Sequence, residues 1–469
     1  MRALICTIGQ RDLTIGGRTA EDCGKRGKIR EFGADLRRRY VEVSGEIAAP
    51  IIDRALEYLR DGDGLPDEVI LVATDQPKES PHHAGDTCEV AEVIKRYVEE
   101  RHRPKKVWVK CLKDNPSNLD TVMITVAGWL RNWAKQYDRM ELVLTGGTPG
   151  MTNGVLLSAL EVCPERIAAL YVAPDGGVRD LDVVRRVRAG QSERDFVLAL
   201  QQHHFGSALL LFEQDSEAFE LPPSVAKAIK ALLRSAPERL SFRLPEARQS
   251  LAEAQRTTRL PDDLYPVLTS LLQGFPGEKD SAGLLHELFY NAGEKLRHEE
   301  YADFVLRLFN LHQAALRQAA ERAGVMFQGD ADCVADSWLE AEPGFTPFAH
   351  SWPYTRSHGV TLDIKRGGRL VLLCLAAYLS EKGTVSPEVS RNGERLDPLA
   401  QLRNKCFAAH DFEPVDRSEV ERRFAGSIED VVEAMTALCR AATNREIAPN
   451  PFEQTVDLCQ RLLHRQGRR

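Results

Sequence analysis

The sequence predicts a multidomain chain, an α/β domain with a parallel sheet followed by all-α segments, and three observations carry that expectation. Its 469 residues exceed what a single core usually organises. In the N-terminal part, runs rich in Val, Ile and Leu alternate with amphipathic stretches. Beyond about residue 190 only helical periodicity is left.

The apolar runs ALICTIG, EVILVAT, KVWVKCL, ELVLTGG and IAALYVAP are nearly continuous, as strands covered on both faces are. Helical patterns lie between them near 47 to 60, 87 to 101, 119 to 136 and 151 to 161. This alternation predicts a doubly wound parallel sheet. RAGQSERD, from Arg188, interrupts it, so the first domain is expected to span 1–190. SVAKAIKALLRS and DDLYPVLTSLLQ are amphipathic and stop at GFPGEKD, which predicts a helical connector over 191–280. A long helical pattern from Gly283 to Gly324 opens the last domain, 281–469. After it come the irregular EPGFTPFAHSWPYTRSHG, the apolar RLVLLCLAAYLSEKG and a loop bearing Gly and Pro.

Composition narrows the class. With 43% hydrophobic and 28% charged residues the chain reads as an ordinary folded protein. A formal net charge of -7 means that any polyanion site must be a local concentration of basic groups. The start is too quickly broken by Arg11 and Asp12 for a secretory signal, and the apolar run from Leu370 is too short for a membrane span, so a cytoplasmic protein with no membrane partner is expected. Ten cysteines lie scattered without metal-ligand spacing and read as reduced, structural thiols. No Asp/Glu/His cluster has the look of a two-metal nuclease, so no metal and no cofactor are expected. Arg37 to Arg39 and Lys105 with Lys106 read as solvated faces.

ELVLTGGTPGMTNGVLLSALE is a strand entering a glycine turn and then a helix. Glycines let the backbone turn sharply, and the helix N-terminus offers unpaired N–H groups and partial positive charge. The turn is therefore either a tight αβ connection or a seat for a phosphate. It is neither a Walker A motif nor a G-x-G-x-x-G fingerprint, which disfavours a nucleotide-using enzyme. The polar loops TIGQRD, ATDQ and KDNPSNLD follow other strands and converge on the same rim.

TGGTPGM, with TIGQRD, HHAGDT at 82 to 87 and NPSNLD at 115 to 120, resembles the CARF domain of type III CRISPR ancillary proteins. The resemblance implies a Rossmann-like domain that dimerises and binds cyclic oligoadenylate across the two-fold axis. Carried over by position, it implies ligand contacts at Thr7, Gly9 and Gln10 after the first strand and at Thr74, Asp75 and Gln76 after the second. It further implies Asn115, Asn118 and Asp120 after the third strand, and Gly146, Gly147, Thr148, Pro149, Gly150 and Met151 under a phosphate. Some members of that family cleave the ligand themselves, which would time the signal. Cyclic tetra-adenylate is the expected ring, with cyclic hexa-adenylate as the second size.

The C-terminal segment RLDPLAQLRNKCFAAHDF adds a second motif. Asp397 followed by Pro398 predicts a helix start at about 398. On that helix Leu399, Leu402, Cys406 and Ala409 share a stripe, and seven positions bring His410 to within about 20° of Arg403. Two local readings stay open, a histidine compensating the helix dipole and an arginine paired with an internal carboxylate. Arg403, Asn404 and His410 also match the R-x(4-6)-H signature, so this segment resembles a HEPN domain. His82, His83 and His312 are expected to be structural or loop residues.

Taken together, the two resemblances identify a CARF-HEPN ribonuclease of the Csm/Csx type. They imply a homodimeric, metal-independent endoribonuclease that cuts single-stranded RNA in antiviral defence when cyclic oligoadenylate binds. Histidine would move the proton and arginine would hold the phosphoryl oxygens, with each subunit giving one pair to a composite site. The alternative is a ligand-responsive regulator or scaffold whose helices only dimerise.

Overall fold

The computed structural model describes residues 1–469 except 216–218, 220, 258–263, 278–279, 329–331, 355–361, 404–413 and 465–469. The chain divides into two compact units, Met1–Glu193 and Arg194–Arg469.

In the first unit β1 (Arg2–Thr7), β2 (Glu68–Thr74), β3 (Lys106–Leu112), β4 (Arg139–Val143) and β5 (Ile167–Val172) are parallel, and β6 (Val178–Asp180) is antiparallel to β5. Their order is β3-β2-β1-β4-β5-β6. Alternate residues of β1 feed opposite faces: Leu4 and Cys6 join α1 (Ile29–Arg38), α2 (Pro50–Asp61) and α3 (Cys88–Arg101) on one side. Ala3 and Ile5 join α4 (Leu119–Trp133) and α5 (Pro149–Val162) on the other. Both faces are covered, which is why the strands read as continuous apolar runs. From β1 the chain winds outward through β2 and β3 and then returns to place β4 on the other side of β1. The loops at the carboxyl ends of β1 and β4 therefore part at the switch point where open α/β sheets hold ligands.

This is the α/β class expected. Three features escaped the sequence reading: α1, the antiparallel edge strand, and a small pairing of Thr14–Ile15 with Ile47–Ala48. The last displaces the start of α2 to Pro50, where proline takes the first helical position.

The second unit is helical and carries two cores. One gathers the part of α6 (Val183–Gln201) from Arg194 onward, α7 (Phe205–Gln214), α8 (Pro223–Leu240), α9 (Leu244–Thr257) and α10 (Tyr265–Gln273) around Phe196, Phe212 and Leu232. The other joins α11 (Ser281–Arg297), α12 (Tyr301–Arg322), α13 (Arg369–Glu381), α14 (Pro387–Leu402) and α15 (Ile428–Thr443) through Leu308, Leu372, Leu396 and Leu438. The last helix, α16 (Pro451–His464), packs Leu458, Cys459 and Leu462 into the first of these cores, so the boundary expected at 280 falls inside one compact unit. The long pattern from Gly283 is two helices, parted at Glu299, whose φ is +58°.

The helix expected to begin at 398 begins at Pro387 instead, after Ser386, whose hydroxyl accepts from the Glu388 N–H at 3.3 Å. Pro398 lies inside it. Asp397 is no cap: it is fully buried, accepts from Gln401 Nε2 at 2.6 Å and pairs with Tyr354 and Arg369. Among the described residues no helix is long and apolar enough to cross a membrane.

Candidate functional site

A cavity of about 1030 Å³ opens at the carboxyl ends of β1, β2, β4 and β5. Its floor is made by backbone approaching backbone. A Cβ on Gly9 would lie 2.7 Å from the Gly147 nitrogen, and one on Gly146 would overlap both the Thr7 carbonyl oxygen and the Asp12 carboxylate. Gly147 has φ +82°, a conformation that side chains disfavour. The loops after β1 and β4 are thus in register only because glycine occupies these positions.

The turn continues into α5 through Thr148, which caps the helix by accepting from the Met151 N–H at 3.2 Å and donates to the Pro116 carbonyl at 2.7 Å. Gly150 sits where a Cβ would come 2.5 Å from that same carbonyl oxygen. One threonine and one glycine thereby lock the loop after β3 onto the N-terminus of α5. Its unpaired N–H groups and dipole make that end suited to an anion.

Of the residues expected to touch a ligand, Gly9, Gln10, Thr74, Gln76, Asn115, Gly146, Gly147, Thr148, Pro149 and Met151 line this cavity. Thr7, Asp75, Asn118, Asp120 and Gly150 do not. Thr7 is buried and its hydroxyl donates to the Gly146 carbonyl, tying β1 to the turn. Asp75 is held by Arg30 and Lys113, and these cations pull its carboxyl down to about 2. Asn118 caps α4, accepting from the Thr121 N–H at 3.3 Å, and Asp120 is exposed in the first turn of that helix.

Gln76 lines the wall with its amide engaged at both ends. Its Nε2 donates to Asp86 Oδ1 at 2.9 Å and its Oε1 accepts from Ser80 at 3.0 Å. Asp86, buried beneath, is paired with Arg30 at 3.2 Å, and Thr87 and Thr74 exchange hydrogen bonds of 3.0 and 3.1 Å between hydroxyls and backbone N–H groups. HHAGDT is thus the brace of the loop after β2, and His82, Asp86 and Thr87 also face the cavity.

Sequence reasoning missed Asp12 and Arg54, which line the cavity as well. Asp12 is only 4% exposed. Its carboxylate accepts from the Gly9 N–H at 2.7 Å, and burial pushes its pKa up to about 6 against the lowering by that bond. The Cys6 thiol beneath it is pushed up by burial and by Asp12. Nothing local in TIGQRD distinguishes a buried aspartate from an exposed one.

No protein-family model and no curated protein sequence matches the chain. A solved structure does match, that of an Enterococcus italicus Csm6 bound to cyclic hexa-2′-fluoro-hexa-dAMP, with a TM-score of 0.62 and 14% identity over 99% of each chain. The two chains share a fold. The likeness to Csm6 spans both the α/β unit with its cavity and the helical unit.

In that helical unit, of the expected catalytic residues only Arg403 lies among the described ones; Asn404 and His410 lie outside them. Arg403 stands at the C-terminal end of α14, and its guanidinium lies over the Phe309 ring of α12 at 4.6 Å from the centroid. One turn earlier Leu399 and Leu402 are buried, so this face of α14 is packed, as the apolar stripe predicts. His312, a turn beyond Phe309, is fully buried, faces the Gly393 carbonyl at 2.8 Å and is pulled down to about 4 by burial. It is a neutral packing residue. Among the described residues no group of His, Cys, Asp or Glu is arranged to hold a metal ion.

Proposed function

We propose that this chain is a cyclic-oligoadenylate-activated endoribonuclease of the CARF-HEPN kind, acting in type III CRISPR antiviral defence. One observation carries the reading. The glycine turn quoted from the sequence forms the floor of a cavity at the switch point, in a chain that shares its whole fold with a Csm6 holding a cyclic hexanucleotide. Residues 1–190 would sense the ring, 191–280 would connect, and 281–469 would cut RNA.

In the sensing step the N-terminus of α5 receives a phosphodiester, with Gly146 to Thr148 as its seat and Gln10, Thr74 and Gln76 along the wall. Two such cavities in a homodimer suit a ring with two-fold symmetry, of four or six adenylates. In the cutting step His410 imidazoles take the proton of the 2′-OH as its oxygen bonds to phosphorus and give a proton to the 5′ oxygen as the P–O5′ bond breaks, leaving a 2′,3′-cyclic phosphate and a 5′-hydroxyl. The Arg403 guanidinium holds the phosphoryl oxygens as charge accumulates on phosphorus. Asn404 orients the phosphate or the imidazole. Two subunits supply two pairs, enough for both proton transfers without a metal ion.

The test is cleavage of labelled single-stranded RNA in EDTA, with and without cyclic tetra- and hexa-adenylate. Cleavage that requires a ring and is lost in Arg403→Ala and His410→Ala supports the reading. An inert wild type with every ring size, or undiminished cutting by His410→Ala, refutes it. Ring binding without any RNA cleavage would instead favour a regulator whose helices only dimerise.

A further inference from the structure

A carboxylate in the wall of an anion site needs a reason. Asp12 is 4% exposed, lines the cavity, and touches the seat itself, because a Cβ on Gly146 would overlap its carboxylate. It takes the Gly9 N–H, at 2.7 Å, in the glycine-lined floor of the cavity. Among the described residues no cation pairs with it: Arg11, which also lines the cavity, is paired with Glu21 at 3.2 Å, and the titratable group beside Asp12 on β1 is the Cys6 thiol. From the turn before α5 the neighbouring groups are the uncharged Gly146, Gly147 and Thr148; the other titratable or charged groups lining the cavity are Arg11, Arg54, His82 and Asp86, the last already paired with Arg30.

Two opposed fields therefore meet at one seat. The α5 N-terminus attracts negative charge, equivalent to roughly half an elementary charge. Asp12 repels it. A phosphodiester carries one negative charge, whereas a terminal phosphate monoester carries about 1.5 to 2 near neutral pH. The first is tolerated beside Asp12 and the second is penalised.

We propose that Asp12 is a specificity residue that makes the cavity accept an internal phosphodiester and reject a terminal phosphate, so that the site favours closed rings over linear oligoadenylates ending in phosphate. The inference rests on the oligoadenylate reading of the same cavity. Burial raises its pKa only to about 6, so the carboxylate is still mostly charged at the pH of the test below.

The test is a double comparison on the full chain at about pH 7.5, where a terminal phosphate is mostly doubly charged. Kd is measured for cyclic tetra- and hexa-adenylate and for linear hexa-adenylate with a 5′-hydroxyl, a 5′-phosphate or a 5′-methyl phosphate, the last a terminal group of single charge. In the wild type the 5′-phosphate should bind about tenfold more weakly than the 5′-methyl phosphate, the size expected of one extra charge in a partly screened site. In Asp12→Asn the two should agree within about twofold. Asp12→Ser, which keeps an acceptor for the Gly9 N–H, should behave likewise and guards against a folding defect in one variant. An equal penalty in wild type and both variants, or no penalty in the wild type, overturns the inference while ring binding leaves the oligoadenylate reading intact. Failure of every ring and linear probe to bind overturns both.

Discussion

Gly9 packs on Gly147 so closely that a methyl group on the first would stand 2.7 Å from the backbone nitrogen of the second. The contact joins the loops of two adjacent parallel strands whose register pairs Ile5 with Leu142. Because the obstacle to a side chain at Gly9 is the Gly147 backbone, no side chain can move aside to relieve it. Gly9→Ala is expected to destabilise the α/β unit by about 2–3 kcal/mol and to weaken ring binding at least about tenfold. Thermal unfolding and ring titration, run side by side, check the two effects; Gly45→Ala, at a glycine with open space around it, is the control.

The buried Asp397 with its Arg369 partner gives a second expectation. Removing one member of a buried pair strands the other charge, at a cost of about 3–5 kcal/mol. Asp397→Ala should therefore unfold the helical unit at lower denaturant, while replacing Arg369 and Asp397 together by Met and Leu should recover much of the loss. Chemical denaturation of the two variants decides this, and additive losses would count against the pairing.

Around Arg403 the expected effect is on cleavage rather than stability. Its guanidinium stacks on Phe309, a contact worth about 0.5–1 kcal/mol at a half-exposed site. Phe309→Leu should lower RNA cleavage about threefold with ring affinity unchanged. Arg403→Lys should lower it more, because an ammonium lacks the planar fork and stacks poorly. Single-turnover cleavage at saturating ring reads both.

For His312 the prediction concerns acid. Its pKa falls from 6.5 to about 4 on burial. A depressed folded value means that stability is present above the unfolded pKa and lost as pH falls from about 6.5 toward about 4, by about 3 kcal/mol in all. His312→Gln should flatten the stability of the helical unit across that window, as followed by denaturation at fixed pH values.

How much of this was legible in the sequence depends on range. The sheet was readable because strands covered on both faces are mostly apolar, and the glycine turn because it lies between a strand and a helix in one continuous segment. What escaped was decided by distant residues. α1 carries Arg30, Glu31, Asp35, Arg37 and Arg38 and looks like surface until its Ile29, Phe32 and Leu36 meet the sheet. Arg30 meets Asp86 from 56 residues away, and no local pattern announces such a pair. Ser386-Pro387 and Asp397-Pro398 are equally good helix starts by local rules; the burial of Asp397 against Arg369 and Tyr354 selects the first. Asp12 was passed over because an aspartate in a polar loop reads as solvated, and its burial depends on Gly146.

The strand order has one more consequence, for the time at which the site comes into being. Thr7 and Gly146 are 139 residues apart, yet the hydroxyl of one bonds the carbonyl of the other at the cavity floor. During synthesis β1 must wait beside β2 and β3 until β4 has emerged, since non-local pairings are late and entropically costly. A nascent chain cut short before Arg139 would hold three of the six strands and no seat at all. The sensor is therefore blind until its α/β unit is complete, and ring binding by truncated, ribosome-held chains would report the moment at which the fold closes.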